Sequence, residues 1–314
     1  MYFYTIFLCF YSFDNSVKIS IIKLLMNKIY TQKAYAKVNF NLRVLPKRLD
    51  GFHNIESIFQ TIELFDELEV SVLEEHGCFV ECHSFALPEN NTITSAYEAF
   101  CSVTGAKVPG VHVVLKKGIP AGGGLGGGSS DSAALVRVLK KVCNLHLTQQ
   151  ELDSIAAKTG SDVFFFMNCG DDGTGCALVS GRGEVVKKIQ PRKDLFLVLV
   201  FPALSSSTKE AYELVDLHLE LDKGENYTVL ERLEAEYRKN PAEWNFKNTF
   251  TPSLCSRYSD LSRALGALKD AGADFCDMSG SGSTLYGVFT SKKRAEECKR
   301  LLASTWNCAL VQLL

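Results

Sequence analysis

Apolar and polar positions alternate with the period of a strand early in the chain. From Lys37 onward Val38, Phe40, Leu42 and Val44 share one face, and Lys37, Asn39, Asn41 and Arg43 share the other. The Asp-Gly pair within Leu49–Asn54 predicts a turn. Thr61 to Leu73 reads as a strand, interrupted at Phe65-Asp66-Glu67, with Leu68, Val70 and Val72 alternating beyond. A helix starts near Asn90-Asn91 and runs towards Phe100, and Val111, Val113 and Leu115 mark another half-buried strand. Leu135, Val138, Leu139 and Val142 then follow helical spacing, with Ser129, Ser130 and Asp131 where an N-cap belongs.

The pattern continues with a capping box at Thr148–Glu151, opening a short helix that carries Leu152, Ile155 and Ala156 and stops at Gly160. Strands at 176–179 and 185–189 flank the turn Gly181–Glu184, which reads first as structural. The unbroken apolar run Leu195–Phe201 predicts a buried strand. Helices are expected at Tyr227–Lys239 and Tyr258–Asp270, the second ending at Gly272, with a polar linker from Asn240 to Pro252 between them. Phe275–Tyr286 reads as strand, glycine turn, strand. Ser291 caps a helix bearing Ala295, Cys298, Leu301 and Leu302, and Cys308–Leu313 closes as a strand.

The pattern resets around Pro191–Asp194, which divides the chain into residues 31–190 and 191–314. The second part has the strand and helix order of a ferredoxin-like domain. Residues 1–30 read as an N-terminal extension, with Met26 as a candidate start. Met1–Phe13 is apolar and aromatic, yet it lacks the basic start of a secretory signal and is too short to span a bilayer. With 314 residues, 46% apolar content and a net charge of -2, the chain has the make-up of a globular protein without a nucleic-acid footprint. Its 11 cysteines show no C-x-x-C pair and no zinc spacing, which points to reduced thiols and a cytoplasmic protein with no membrane partner. Monomer and homodimer both remain open.

The stretch that carries chemistry is Pro120-Ala121-Gly122-Gly123-Gly124-Leu125-Gly126-Gly127-Gly128-Ser129-Ser130. It lies between a strand and a helix, with Lys116 and Lys117 just before it. Glycines let several successive N–H groups approach one ligand, and the helix start adds unpaired N–H groups and the positive end of its dipole. Together they form an anion site suited to phosphate. No Gly-Lys-Ser/Thr follows, so this is not a Walker A loop, and the spacing is wrong for a dinucleotide fingerprint.

This loop resembles the phosphate loop of the GHMP kinases, and other motifs of that family follow in order. They are Ala36-Lys37-Val38-Asn39, Asp50-Gly51-Phe52-His53, Gly160-Ser161-Asp162-Val163 and Ser279-Gly280-Ser281-Gly282-Ser283. The resemblance implies an α+β, two-domain fold. Its N-terminal α/β nucleotide-binding domain has a part like domain 2 of ribosomal protein S5, and its C-terminal domain is ferredoxin-like. It implies ATP as donor with Mg2+, held near Ser129 or Ser130 though no ligand is fixed, and a small-molecule cytidyl diphosphate alcohol of isoprenoid precursor synthesis as acceptor. Asp162 would be the catalytic base and Lys37 its partner at the acceptor hydroxyl. The Pro120–Ser130 loop, Asn91 and Lys117 would hold ATP. Asn39, Phe52, His53, Thr208, Tyr212, Gly280 and Gly282 would hold the acceptor, with a base between Phe52 and Tyr212. Phe52 stands where the family has tyrosine, and Phe164 where it has proline. By residue type alone Lys37 is an exposed strand lysine, Asn91 an N-cap, Asp162 a turn aspartate and Tyr212 a helix residue. Another small-molecule kinase of the family, of homoserine or mevalonate type, and a non-catalytic nucleotide-binding module remain alternatives.

Overall fold

The computed structural model describes residues 28–204, 207–219 and 228–314. The expected extension up to residue 27, Ser205, Ser206 and the start of the helix expected at Tyr227 lie outside the described residues.

The frame of the first half is a long hairpin, β1 (Ile29–Lys47) and β2 (His53–Leu73), paired antiparallel from Ile29↔Ser71 to Lys47↔His53. The expected turn joins them, with Gly51 at φ 85°. β1 covers one edge of β2. The other edge is divided: Ile55–Gln60 pairs with β5 (Cys176–Gly181), and Glu67–Leu73 pairs with β4 (Gly110–Lys116). β2 is therefore continuous, contrary to the expected break at Phe65–Glu67. That segment lies where the edge changes partner: Asp66 accepts from the loop N–H groups of Gly118 and Ile119, while Glu67 pairs with Lys116 of β4. β3 (Cys78–Cys82) joins β4 in parallel, and β6 (Val185–Lys188) joins β5.

β1 does not keep its alternation. A bulge between Phe40 and Leu42, with Asn41 at φ 55°, flips the strand halfway. Val38 and Phe40 enter the core shared with the second sheet, while Leu42 and Val44 enter the other core cluster. Nor is the polar face solvated. Lys37, Asn39 and Asn41 are each at most 2% exposed.

Four helices follow: α1 (Thr92–Thr104), α2 (Gly127–Cys143), α3 (Gln149–Thr159) and α4 (Ser161–Asn168). Thr148 and Glu151 form the expected capping box. The start of α2 differs from expectation. Its N-cap is Gly126, in the left-handed region, and no side chain caps it. The last glycines of the loop are thus the first helical residues. Their N–H groups stay free of the side-chain oxygen that a serine cap would supply.

The second half forms a four-stranded antiparallel sheet in the order β10-β7-β9-β8, the ferredoxin-like arrangement. Its strands are β7 (Phe196–Phe201), β8 (Phe275–Met278), β9 (Leu285–Phe289) and β10 (Asn307–Gln312). Its helices are α5 (Thr208–Leu219), α6 (Leu230–Tyr237), α7 (Phe250–Arg257), α8 (Ser259–Asp270) and α9 (Lys292–Leu302). β7 is apolar throughout because both faces are buried. Leu197 and Leu199 meet Val38, Phe40 and Ile58 of the first sheet, and Val198 and Val200 join the helix-side cluster.

Two expectations need correcting. Asn240–Pro252 is not a solvated linker: a 3-10 turn at Pro241–Glu243 leads to buried Trp244 and Phe246, and then to α7. Pro252 is tolerated because it lies in the first turn of that helix, where its missing N–H has no partner to lose. Leu301 faces solvent at 52% exposure, while Ala295, Cys298 and Leu302 are buried. Among the described residues no helix is long and apolar enough to cross a membrane, and the described cysteines are free.

Beneath the Ser279–Ser283 turn, Asp277 is buried and accepts hydrogen bonds from Thr251 Oγ1 (2.5 Å) and the Met278 N–H (2.8 Å). Burial outweighs these donors and pushes its carboxyl up to about 7. A carboxyl raised in the folded state contributes stability that is full at low pH and lost as pH climbs to that value. Asp277→Asn keeps the shape and removes the titration. Its stability relative to the native protein is expected to rise by about 1–3 kcal/mol between pH 4 and pH 8 in urea titrations. A difference that does not change with pH would contradict a proton-holding Asp277.

Candidate active site

Three of the family-like motifs meet at one backbone oxygen. Gly124 O accepts from Lys37 Nζ at 3.0 Å and from Ser279 Oγ at 3.0 Å. Two further bonds fix the loop in register, Lys37 N–H to Leu125 O (2.9 Å) and Thr284 N–H to Gly123 O (3.2 Å). The loop is thereby held between β1 and the β8–β9 turn. Glycine is required here: at Gly124, with φ 74°, a Cβ would lie 2.1 Å from Ser279 O.

Lys37 is 2% exposed and fully engaged. Its Nζ donates to Asn39 Oδ1 at 2.5 Å, sits 3.3 Å from Asp162 Oδ2 and lies 4.7 Å from the centre of the Phe59 ring. Asp162 sits in the first turn of α4, where the helix dipole favours a negative charge. Its side chain is 34% exposed, so one partner is a buried cation and the other side is open. Phe164 packs half-buried against the core from the same helix.

Two cavities adjoin the loop. One of about 320 Å³ follows it from Pro120 to Ser129 and is flanked by Asn91, Ile93 and Lys117. The other, of about 710 Å³, contains Lys37, Asp162, Phe52, His53, Tyr212 and Gly280. Gly122, Gly124, Gly126 and Ser129 line both, so the loop is the wall between them.

Several expected contacts are used within the protein. Asn91 is the N-cap of α1: its Oδ1 accepts from the Ile93 N–H (2.9 Å) and the Thr94 N–H (3.2 Å). Ser130 is 1% exposed and donates to Tyr35 O at 2.7 Å, so its hydroxyl braces the loop instead of facing either cavity. Lys117 bonds Asp66, and Asp131 Oδ2 at 3.1 Å. Asp66 also accepts from the N–H groups of Gly118 (2.7 Å) and Ile119 (2.8 Å), which fixes the entry to the loop. Burial pushes the Asp131 carboxyl up to about 8 despite the opposing Lys117, and the nearby Asp66 adds to the rise. Lys116 points outward to Glu67 and Glu69.

In the larger cavity the rings are already partnered on one side. Tyr212 stacks on His53 (centroids 4.9 Å, 23°) and meets Phe250 edge-on. The Arg182 guanidinium lies 3.8 Å over the centre of the Phe52 ring, and Phe52 is half exposed. Thr208 Oγ1 is 3.1 Å from Ser281 Oγ, which joins the start of α5 to the glycine turn. Gly280 and Gly282 line the cavity from that turn.

Comparison with known proteins agrees with this geometry. The profile of the GHMP kinase N-terminal domain matches residues 91–178, and that of the C-terminal domain matches residues 230–308. The chain is similar to a protein of Treponema pallidum (strain Nichols) named 4-diphosphocytidyl-2-C-methyl-D-erythritol kinase. The identity is 38% over 289 residues, covering 90% of this chain and 97% of that one. A protein of the same name from Thermotoga maritima is 39% identical over 262 residues, covering 83% and 92%. This chain belongs to the GHMP kinase family. A crystal structure of 4-(cytidine 5'-diphospho)-2C-methyl-D-erythritol kinase superposes with a TM-score of 0.73 at 26% identity, covering 90% of this GHMP kinase and 99% of that chain. The homoserine kinase of Cytophaga hutchinsonii shares the fold, with a TM-score of 0.60 at 17% identity over 89% and 94% of the two chains.

Three residues of this GHMP kinase that were not named as site residues stand in or beside the site. Arg182 comes from the turn read as structural. Asp216 of α5 reaches His53, with its Oδ1 2.7 Å from Nε2. Asn248 donates to Met278 O and Gly280 O, both at 2.8 Å, and so shapes the glycine turn. No local pattern marks them, because each acts across a large sequence separation.

Gly124→Ala is expected to lose about 1–3 kcal/mol of stability and most of its ATP affinity, because the loop cannot stay docked on the Ser279 turn. Gly266→Ala, in the interior of α8 with nothing within 4 Å of the added carbon, is expected to be neutral or stabilising. Thermal melts with ATP titration check the pair. Equal behaviour of the two variants would contradict the role given to Gly124.

Proposed function

We propose that this chain transfers the γ-phosphoryl group of ATP to the 2-hydroxyl of 4-diphosphocytidyl-2-C-methyl-D-erythritol, in the non-mevalonate route to isoprenoid precursors. The observation that carries the reading is the 3.3 Å Lys37–Asp162 pair at the open wall between a phosphate loop and a larger cavity. The names of relatives that share more than a third of this sequence point to the same acceptor.

Phosphoryl transfer depends on positioning and charge stabilisation more than on covalent chemistry by the protein. In this reading the N–H groups of the glycine loop and the start of α2 receive the triphosphate in the smaller cavity, with the base towards Asn91 and Ile93. The exposed side of Asp162 accepts the proton of the acceptor hydroxyl. Lys37 holds that carboxylate in place, and its charge favours the oxyanion as the proton leaves. Asn39 keeps the ammonium aimed. The cytidyl end lies among Phe52, His53 and Tyr212, with Thr208, Gly280 and Gly282 along the diphosphate. We assign residues 31–190 to the ATP-binding domain and residues 191–314 to the substrate-side domain.

Hard oxygen donors suit Mg2+, which keeps several waters and binds through phosphates plus one or two protein groups. Ser129 fits: its side chain is half-buried and lines both cavities, whereas the Ser130 hydroxyl is taken. Among the described residues no cluster of three His, Cys, Asp or Glu side chains forms a protein cage for a metal. Bound at Ser129 and the phosphates, the ion would supply charge neutralisation.

ADP release is expected with ATP plus the cytidyl diphosphate alcohol, and not with ATP plus homoserine or mevalonate. In the same assay Asp162→Asn is expected to lose about 10²–10⁴-fold in kcat while still binding ATP. Near-native turnover by that variant would remove Asp162 from the base role. Turnover of homoserine or mevalonate alone would refute the acceptor.

A further inference from the structure

His53 and Asp216 form a contact that the reaction described above does not use. His53 opens β2, and its side chain is 5% exposed. Its Nε2 lies 2.7 Å from Asp216 Oδ1. Among the described residues its other ring nitrogen, Nδ1, has no hydrogen-bond partner. The other oxygen of Asp216 lies 3.3 Å from Lys47 Nζ. Asp216, Lys47, His53 and Tyr212 all line the larger cavity. Tyr212 stacks on the imidazole from the same helix as Asp216, so helix α5 fixes both the plane of the ring and its rotation.

The chemistry of the pair is asymmetric. An ionised carboxylate only accepts hydrogen bonds. Nε2 must then carry the proton. In a neutral imidazole that leaves Nδ1 as an acceptor with a lone pair and no hydrogen. Cytosine presents an amino donor at position 4, and uracil presents a carbonyl oxygen there. An acceptor facing that position attracts the first and repels the second.

We propose that Asp216 is a positioning residue that sets the tautomer of His53, and that this makes the cavity select a pyrimidine bearing a 4-amino group over one bearing a 4-keto group. The proposal rests on the cytidyl reading of the acceptor and goes beyond it by naming how the base is told from its keto analogue. Lys47 holds Asp216 from the other side, and the ring of Tyr212 keeps the imidazole from turning over. Asp216 acts through His53 and takes no part in phosphoryl transfer.

The test has two readouts on the full-length chain. Nitrogen-15 NMR of the imidazoles, with His53→Gln to assign the signal, is expected to show a pyridine-type Nδ1 and a protonated Nε2 in the native protein at neutral pH. Asp216→Asn offers either an acceptor or a donor to Nε2, so the single tautomer is expected to give way to a mixture. Asp216→Glu retains the acceptor and is expected to restore it. In steady-state kinetics with the cytidyl diphosphate alcohol and its uridyl counterpart, Asp216→Asn is expected to lower the native preference by about tenfold or more. The loss falls on KM for the cytidyl compound, with KM for ATP and kcat within about twofold of native. A structural defect alone would move ATP binding and kcat as well and leave the ratio of the two acceptors unchanged. A native His53 protonated on Nδ1, or an unchanged cytidyl-to-uridyl ratio in Asp216→Asn, overturns the proposal. If Asp216→Asn does not fold, the native tautomer and the Asp216→Glu ratio decide. If the native protein phosphorylates neither compound, the acceptor reading has failed, and the tautomer measurement still tests the Asp216–His53 pair.

Discussion

The carbonyl oxygen of Gly124 is the point on which the rest of the structure depends. It receives a hydrogen bond from the buried ammonium of Lys37 and another from the hydroxyl of Ser279. One comes from the first sheet and the other from the turn of the second. A backbone oxygen has two lone pairs, and both are used here, one within the first half and one across the junction of the two halves. A glycine-rich loop is costly to order, because glycine loses more conformational freedom than any other residue. The paired bonds, and the close approach that only a missing Cβ allows, hold it in one shape before any nucleotide arrives.

That arrangement also explains how an ammonium can be buried in a strand. Taking a lysine out of water is expensive unless charge and hydrogen bonds replace the lost hydration. Around Lys37 the replacements are Asn39 Oδ1, Gly124 O and the Asp162 carboxylate. Two of the three partners are fixed by backbone geometry or by the same strand. The third stands on a short helix at the edge of the cavity and keeps an open side. The asymmetry suits a base: the charge partner is immobile and dry, while the carboxylate faces the space where an alcohol would sit. Below the loop, Asp66 and Asp131 share Lys117 in the same manner and tie β2, the loop and α2 together.

Much of the site was legible because its motifs are local. The glycine run, the Ala-Lys-x-Asn strand, the Asp-Gly turn and the second glycine turn each occupy a few consecutive residues, and the topology brings them to one place. The ferredoxin-like half was readable from its element order for the same reason. What was missed is non-local. The cap expected at Ser129–Asp131 failed because Gly126 adopts the left-handed conformation and lets the helix start at least three residues earlier. The single face expected for Val38–Val44 failed because a bulge at Asn41 changes which core each half enters. Trp244 and Phe246 look like stray aromatics in a polar stretch, yet they fill the space between the sheets beside Phe40. Asp216 and His53 are 163 residues apart, and no periodicity links them.

The account turns on one geometric claim: the loop delivers the terminal phosphoryl group to the Lys37–Asp162 pair. A structure of the chain with a non-hydrolysable ATP analogue and the acceptor alcohol measures it directly. The predicted result places the acceptor oxygen about 3–3.5 Å from the terminal phosphorus and within hydrogen-bond reach of Asp162. A terminal phosphorus held on the far side of the loop, with the alcohol hydroxyl out of reach of both Asp162 and Lys37, would contradict it.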